Sequence, residues 1–470
     1  MSVRAHIKKT DKERARKDVL NRLRRCPHLV ECIFEDLEPS SILKTAKVSP
    51  LWKEIITENS IWERTWERML TTSQTWKLLA TRLEYTKPKL WIETEGLCDI
   101  NYQLVFQYVE QNIKEISQWA EKHKLKNRQH IYIPMISKES EYFCHSIFPN
   151  FKVHNENVFI YDGGKVVIFN RWTKQIVEVL DFRNRYQIGN LHLADGLLGV
   201  HFLYHKIVIY DLSNFKEIQT LPDSYEVVGL SRNFLATLRY ITIDWPFDWA
   251  LELRRWDPST RQFSTHVEKT FYIDFGHRLH NYKIYFDRHF LILDGFEDCR
   301  IRRIIVYDLN TMKQTKYRTF TDDDNPSIDS VKQESHNGVI IVPYDYDMVR
   351  YGEGYGTRFA AWNFETDTIQ PITNFPSICQ LADSQFITAA VPHNANYQWV
   401  IEIIEGKKNI RIHVFATEGW RCDSNPLVMK KTSKSLRCKE IRQKQDNCYF
   451  DGLQFLWSLP QNINLIDIIA

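Results

Sequence analysis

The side chains best suited to recognition in this chain are aromatic and basic, and they cluster in short polar stretches between apolar runs. Arg183 and Arg185, Tyr204-His205, Trp245-Pro246-Phe247-Asp248-Trp249, and Arg350-Tyr351 with Tyr355 nearby are such groups. Exposed Trp, Tyr and Arg tend to form the energetic centres of protein interfaces. Guanidinium groups also grip carboxylates or phosphates through paired hydrogen bonds. The expected contacts for a bound protein are therefore Arg183, Arg185, Tyr204, Trp245, Phe247, Trp249, Arg350 and Tyr351. The competing reading is that the tryptophans pack inward beneath their loops and the arginines are merely solvated.

Groups for covalent or metal chemistry do not converge. The sequence holds no phosphate-binding P-loop, no Gly-x-Ser-x-Gly and no His-Glu-x-x-His. Gly352-Glu353-Gly354-Tyr355-Gly356 lacks the strand–turn–helix setting of a dinucleotide fold and reads as a hairpin tip. His201 and His205 are four apart but flank an expected hairpin turn, not one face of a helix. Asp322-Asp323-Asp324 reads as an acidic surface loop, with a cation site as the alternative. The cysteines stand at 26, 32, 98, 144, 299, 379, 422, 438 and 448, an odd count with no Cys-x-x-Cys pair. That pattern argues against a zinc module or a disulfide framework and for a reducing compartment, cytosolic or nuclear. No cofactor and no catalytic activity of its own are expected.

Charge and hydropathy narrow the partners. The formal net charge is +3 over 470 residues, so no strong field favours nucleic acid. Residues 1–25 are the local exception, with ten Lys or Arg against three acids. Because the two signs are interspersed, this basic leader reads as a solvated helical extension. No apolar run approaches the ~20 residues of a membrane span, so no membrane partner is expected.

Two kinds of element must position the candidate residues. A chain of this length divides into two or three domains. In residues 28–37, Leu29, Ile33 and Leu37 fall at i, i+4 and i+8, one face of a helix. Glu38-Pro39-Ser40 breaks it and Ser41-Ile42-Leu43 restarts a turn. Ser49-Pro50 opens a further helix carrying Leu51, Trp52, Ile55 and Ile56. Ser60-Ile61-Trp62-Glu63 reads as a capping box. Residues 71–144 form a helical linker, in which a helix over about 100–124 places Leu104, Tyr108, Ile116 and Trp119-Ala120 on one face.

These residues carry a resemblance. Pro27, Ile33-Phe34-x-x-Leu37, Val48-Ser49-x-x-Trp52 and Ile61-Trp62 resemble an F-box over residues 26–70, with Cys26 where the family usually has Leu. The resemblance implies docking to a Skp-type adaptor and, through it, to a cullin–RING ubiquitin ligase. Carried over residue by residue, it assigns adaptor contact to Pro27, Leu29, Ile33, Phe34 and Leu37, and the module's own core to Val48 and Trp52.

From residue 145 to 470 the pattern changes to short alternating strands with a recurring unit. An apolar strand ends in a bulky residue and a turn former: Val167-Ile168-Phe169-Asn170, Val208-Ile209-Tyr210-Asp211, Arg254-Arg255-Trp256-Asp257 and Ile305-Val306-Tyr307-Asp308. Looser instances are Ala360-Ala361-Trp362-Asn363, Ile412-His413-Val414-Phe415-Ala416 and Phe455-Leu456-Trp457-Ser458. Their ends lie 41 to 55 residues apart, the period of four-stranded propeller blades. In the second unit, 197–202, 206–212 and 217–221 read as successive antiparallel strands. The Tyr/Trp-Asp ends and Gly276-His277 are similar to WD repeats. A β-sandwich is the rival, but it leaves the repeat unexplained.

The expected architecture is therefore an α plus all-β multidomain chain: a three-helix F-box-like module, a helical linker and a C-terminal seven-bladed WD-like β-propeller. The expected function is a substrate receptor of a ubiquitin ligase, holding an unknown protein substrate on the propeller. A scaffold whose F-box no longer binds the adaptor is the alternative.

Overall fold

The computed structural model describes residues 25–34, 37–48, 50–58, 60–72, 74–94, 97–122, 131–134, 150–162, 164–182, 187–194, 196–203, 206–221, 227–240, 248–274, 279–297, 301–321, 338–343, 359–373, 384–389, 397–404, 409–416, 427–428, 434–437, 448–450, 454–459 and 462–467. They fall into two compact units, one of described residues up to Lys122 and one from Ile131 onward.

Proline punctuates the first unit. Its missing N–H and fixed φ suit the first position of a helix, where the amide has no partner anyway. Pro27 opens α1 (Pro27–Phe34), Pro39 opens α2 (Pro39–Val48), Pro50 opens α3 (Pro50–Glu58), and Pro88 opens a single 3-10 turn. Helices α4 (Ile61–Thr72), α5 (Gln74–Thr86) and α6 (Tyr102–Lys122) follow, with a hairpin of Trp91–Thr94 and Leu97–Ile100 before α6. Ser60 precedes α4, as the capping box suggested, but its φ of 51° is left-handed, unlike the extended backbone of a side-chain cap. Asn101 caps α6, its Oδ1 accepting the Leu104 amide at 3.2 Å.

Aromatic rings make the core of this unit. Phe106 of α6 lies 5.3 Å from both Trp62 and Trp76, and 6.2 Å from Trp66, between ring centroids. The expected linker helices are thus packed into the same body as the F-box-like helices. On α6 the buried face is Val105, Phe106, Val109 and Ile113, whereas Leu104 is 41% exposed. The expected stripe through Leu104 and Tyr108 was about one residue out of phase. Tyr108 instead lies under the Lys87 ammonium, 4.6 Å from the ring centroid.

In the second unit the described strands form seven mainly antiparallel sheets. The first is Asn150–His154, Asn157–Asp162, Lys165–Asn170 and Gln175–Asp181. The second is Ile188–Ala194, Leu197–Phe202, Ile207–Asp211 and Glu217–Leu221, close to the strands read from the sequence. The third is Val227–Leu230, Phe234–Tyr240 and Asp248–Asp257, whose outer side takes Gln262–Phe263 and Lys269–Asp274. The fourth is Leu279–Asp287, Phe290–Glu297, Ile301–Asp308 and Lys313–Thr321. The fifth has Val339–Pro343, Phe359–Asn363 and Thr368–Thr373, with Leu427–Val428 added in parallel. The sixth is Ser384–Ala389, Tyr397–Ile404, Asn409–Ala416 and Lys434–Arg437. The seventh is Cys448–Phe450, Gln454–Leu459 and Asn462–Asp467, completed by Ile131–Pro134.

That last pairing joins the two ends of the unit. It also places a strand of the sheets inside the 71–144 segment expected to be helical linker. Apolar clusters join neighbouring sheets in sequence order: first to second, second to third, third to fourth, fourth to fifth, and seventh back to first. The first strands of the first four sheets touch their neighbours in turn, as do those of the sixth and seventh. Sheets stacked this way are consistent with a β-propeller.

A recurrent turn explains the repeat seen in the sequence. Asn170, Asp211, Asp257 and Asp308 each end the strand before the outermost one, and Asn363 ends the strand before Thr368–Thr373. Each side chain's Oδ1 accepts the backbone amide two residues on, from Trp172, Ser213, Ser259, Asn310 and Glu365, at 2.8–3.0 Å. Four residues after each sits a left-handed residue: Lys174, Phe215, Arg261, Met312 and Asp367, with φ between 53° and 62°. The amides of Arg171, Leu212 and Leu309, each directly after the Asx residue, bond to the hairpin between the two strands before it, and the Phe364 amide bonds to Gly338 O, directly before Val339–Pro343. The third unit departs because Pro258 has no amide there; Trp256 N–H bonds Asn233 O instead. In the seventh sheet the corresponding end is Asp467. Phe455-Leu456-Trp457-Ser458 lies one strand earlier, because the outermost strand comes from residues 131–134.

Candidate functional site

The helical module turns two faces of α1 in different directions. Val30 and Phe34 point inward, Phe34 being 2% exposed with its ring 6.0 Å from that of Trp52. One residue round the helix, Leu29 and Ile33 are 46% and 47% exposed. Val48, at the end of α2, is 73% exposed. A short helix that leaves two aliphatic side chains four apart in water presents a ready apolar contact.

Of the residues assigned to adaptor contact, Leu29 and Ile33 are thus presented and Phe34 is not. Phe34 is part of the module's own core, because α1 places 30 and 34 on its buried side. Leu37 is half-buried, and its backbone is pinned: its amide donates to Phe34 O at 3.2 Å and its carbonyl accepts the Arg68 guanidinium at 2.5 Å. Pro27 opens the helix. Val48, expected in the core, is at the surface, while Trp52 is half-buried against Phe34. A cavity of about 360 Å³ opens between α1 and α4, lined by His28, Cys32, Phe34, Ile61, Arg64, Thr65 and Arg68. The sequence reading missed it, although Arg64 and Arg68, four apart on α4, were a legible signal.

On α6 burial raises the Glu110 carboxyl above its usual range. Lys114 opposes that rise, Glu38 adds to it and Lys44 opposes it. Glu110 therefore sits in reach of charges on α2 and at its N-terminal end.

The expected substrate face reads differently. Trp249 is 1% exposed, in the apolar cluster between the third and fourth sheets. It is a core residue, because strand alternation turns 249, 251 and 253 to the same inward face. Arg183, Arg185, Tyr204, Trp245, Phe247, Arg350 and Tyr351 lie outside the described residues. So do His205, Gly276-His277, Asp322-Asp323-Asp324 and the glycine run at 352–356. His201 lies on a strand, its ring 6.3 Å from that of His192. Among the described residues no group of three or more His, Cys, Asp or Glu is placed to hold a metal ion. Among them, too, no helix is long and apolar enough to cross a membrane.

The polar groups that converge in the sheets either close turns or form buried ion pairs between strands. Asp211 accepts the Ser213 hydroxyl at 2.6 Å and amide at 2.8 Å, and an Arg261 N–H at 2.5 Å. The Ser213 hydroxyl bond holds its carboxyl below the usual range, outweighing burial, with the Ser213 amide and Arg261 adding to the effect. Lys174 reaches Asp467 at 3.1 Å, linking the first sheet to the seventh. Arg302 and Asp294 form a buried ion pair at 2.6 Å.

Residues 26–64 match the F-box domain family. No curated protein matches the chain in sequence. Among solved structures, a chain of a mitotic checkpoint complex is similar at 12% identity, over 74% of this chain and 95% of that one, with a TM-score of 0.46. A Kluyveromyces lactis Hsv2 structure is similar at 10% identity, over 66% and 89%, with a TM-score of 0.40. The chain therefore carries an F-box domain ahead of a body of antiparallel sheets.

Proposed function

We propose that this protein is the substrate-recognition subunit of an SCF-type cullin–RING ubiquitin ligase. The F-box domain docks a Skp-type adaptor, and a seven-bladed propeller holds the protein to be ubiquitylated, in the cytosol or nucleus. The chain then supplies proximity, not a reacting group: it raises the local concentration of substrate beside another enzyme's active site. The observation that carries the reading is the exposure of Leu29 and Ile33 on α1, within residues matched to the F-box family. An apolar pair left in water, four residues apart on one helix face, is what a partner's hydrophobic groove would cover.

The test is capture of the full chain by purified Skp-type adaptor, beside a Leu29→Asp/Ile33→Asp variant whose fold is checked by circular dichroism. Binding at micromolar concentration that the double substitution abolishes supports the reading. A folded wild-type chain that does not bind the adaptor at those concentrations overturns it.

A further inference from the structure

The second sheet carries a buried imidazole that none of its turns uses. His192 lies on the sheet's first strand, Ile188–Ala194, opposite Gly199 of the second strand. Leu191 belongs to the apolar cluster shared with the first sheet, and Ala194 to the one shared with the third. Strand alternation puts His192 on the same face as Ala194. A Cβ at Gly199 would lie 3.4 Å from His192 Cβ, 3.5 Å from Ile209 Cδ1 and 3.6 Å from Leu230 Cδ2. Glycine there leaves the imidazole room against an apolar wall. Nε2 of His192 is buried and has no hydrogen-bond partner among the described residues.

The described strands packed most closely against this one are Leu197–Phe202, Asn150–His154 and Val227–Leu230. Their ionisable groups are His201, Lys152 and His154, and none of these strands, nor the His192 strand itself, brings a carboxylate. The His201 ring centroid is 6.3 Å from that of His192. The Tyr161 hydroxyl, from the first sheet, donates to Asn190 Oδ1 at 3.3 Å, and burial pushes it up to about 12, so it stays neutral. Burial first, then Lys152, then His201 hold the His192 imidazole well below the ordinary histidine range.

We propose that His192 is a pH-sensing residue, whose protonation opens the first two strands of the second sheet. An imidazolium at this place has a buried N–H without an acceptor and cationic neighbours, so it is tolerated only where the strands part and water reaches it. With the strands closed, the ring stays neutral as pH falls through the ordinary histidine value near 6.5; with them open, it takes a proton. The closed form is therefore fully favoured above that value. It loses ground as pH falls below it, until the closed ring itself charges. One proton of difference raises the local opening constant about tenfold between pH 7.5 and pH 5.5. That range lies above the one in which Asp211 titrates, so the two effects are separable. The inference goes beyond the docking reading and does not depend on it.

Amide hydrogen exchange of the full chain, read by mass spectrometry on peptides spanning residues 188–202 and corrected for intrinsic rates, gives that opening constant. From pH 7.5 to pH 5.5 it should rise about tenfold more in the wild type than in His192→Gln, which cannot take the proton. Rises that agree within about twofold in the two proteins overturn the proposal. Deuteration at the imidazole Cε1 of His192 in the wild type, followed over the same pH range, reads the ring's own titration and does not need the variant to fold. A midpoint well below 6.5 supports the proposal, and one at or above 6.5 overturns it.

Discussion

The helical unit and the sheets solve the same problem, fixing short elements in place, by opposite means. The helices share one aromatic cluster, in which Phe106 touches three tryptophans, so a single ring joins α4, α5 and α6. The sheets repeat one polar turn, in which an Asp or Asn side chain closes the loop and a left-handed residue follows four positions later. The left-handed residue then reaches back. Lys174 meets Asp467, Arg261 meets Asp211, and Asp367 meets Arg318, in each case a residue of the preceding sheet. Phe215 and Met312, at the same position, pack on clusters shared with the preceding sheet. A concentrated core fails at one residue; a distributed one should fail by degrees.

Phe106→Ala tests that contrast most sharply. The ring is fully buried, so its removal should destabilise the helical unit by about 3–5 kcal/mol. Denaturant unfolding followed by tryptophan fluorescence reads this, because Trp62, Trp66 and Trp76 surround the lost ring. A loss below about 1 kcal/mol would mean that the cluster is not the core it resembles.

In the sheets, Asp211→Ala should lose less, about 1.5–3 kcal/mol, because it removes charge-assisted hydrogen bonds from one turn of several. The pH dependence has a definite sign. The folded-state pKa of Asp211 is depressed, so the carboxylate's contribution is present above the unfolded value near 3.9. It is lost as pH falls through the lower folded value. Acid unfolding of the wild type should therefore begin below about pH 4, and the variant should lack that component. Lys174→Ala should be milder still. It cuts a partly exposed ion pair worth about 0.2–1 kcal/mol, and the effect should shrink in high salt. A loss as large as that of Phe106→Ala would make the junction of first and seventh sheets a single point of failure.

The two units were not equally legible. The Asx turns were readable because one residue type at a fixed place in a strand-ending run has a specific local job. Asn170, Asp211, Asp257, Asp308 and Asn363 were all picked out on that basis. The seventh unit was misplaced because its outermost strand comes from residues 131–134, and no local pattern shows that a strand is borrowed from hundreds of residues away. Helix faces were readable only to within one residue: Leu29, Ile33 and Leu37 formed the visible stripe, but burial falls on Val30 and Phe34. Periodicity gives the spacing of an apolar face, whereas the neighbours decide which of two adjacent stripes faces in. Trp249 illustrates the same limit in a strand. An aromatic flanked by turn formers looked exposed, and the alternation of Trp249, Leu251 and Leu253 turned it into the core.

Ile33→Asp completes the series with the smallest expected effect on stability. The side chain is 47% exposed and one position from the buried Phe34, so the folded state gives up little packing, and the change should stay within about 0.5 kcal/mol. That near-neutrality is what separates a contact surface from a core. If Ile33→Asp instead destabilised the unit as Phe106→Ala should, α1 would hold the module together through both of its apolar stripes. Loss of adaptor binding in that variant would then report unfolding. If the unfolding free energy is unchanged while capture by the adaptor is lost, Leu29 and Ile33 are in water for a partner's benefit, because nothing within the helical unit requires them there.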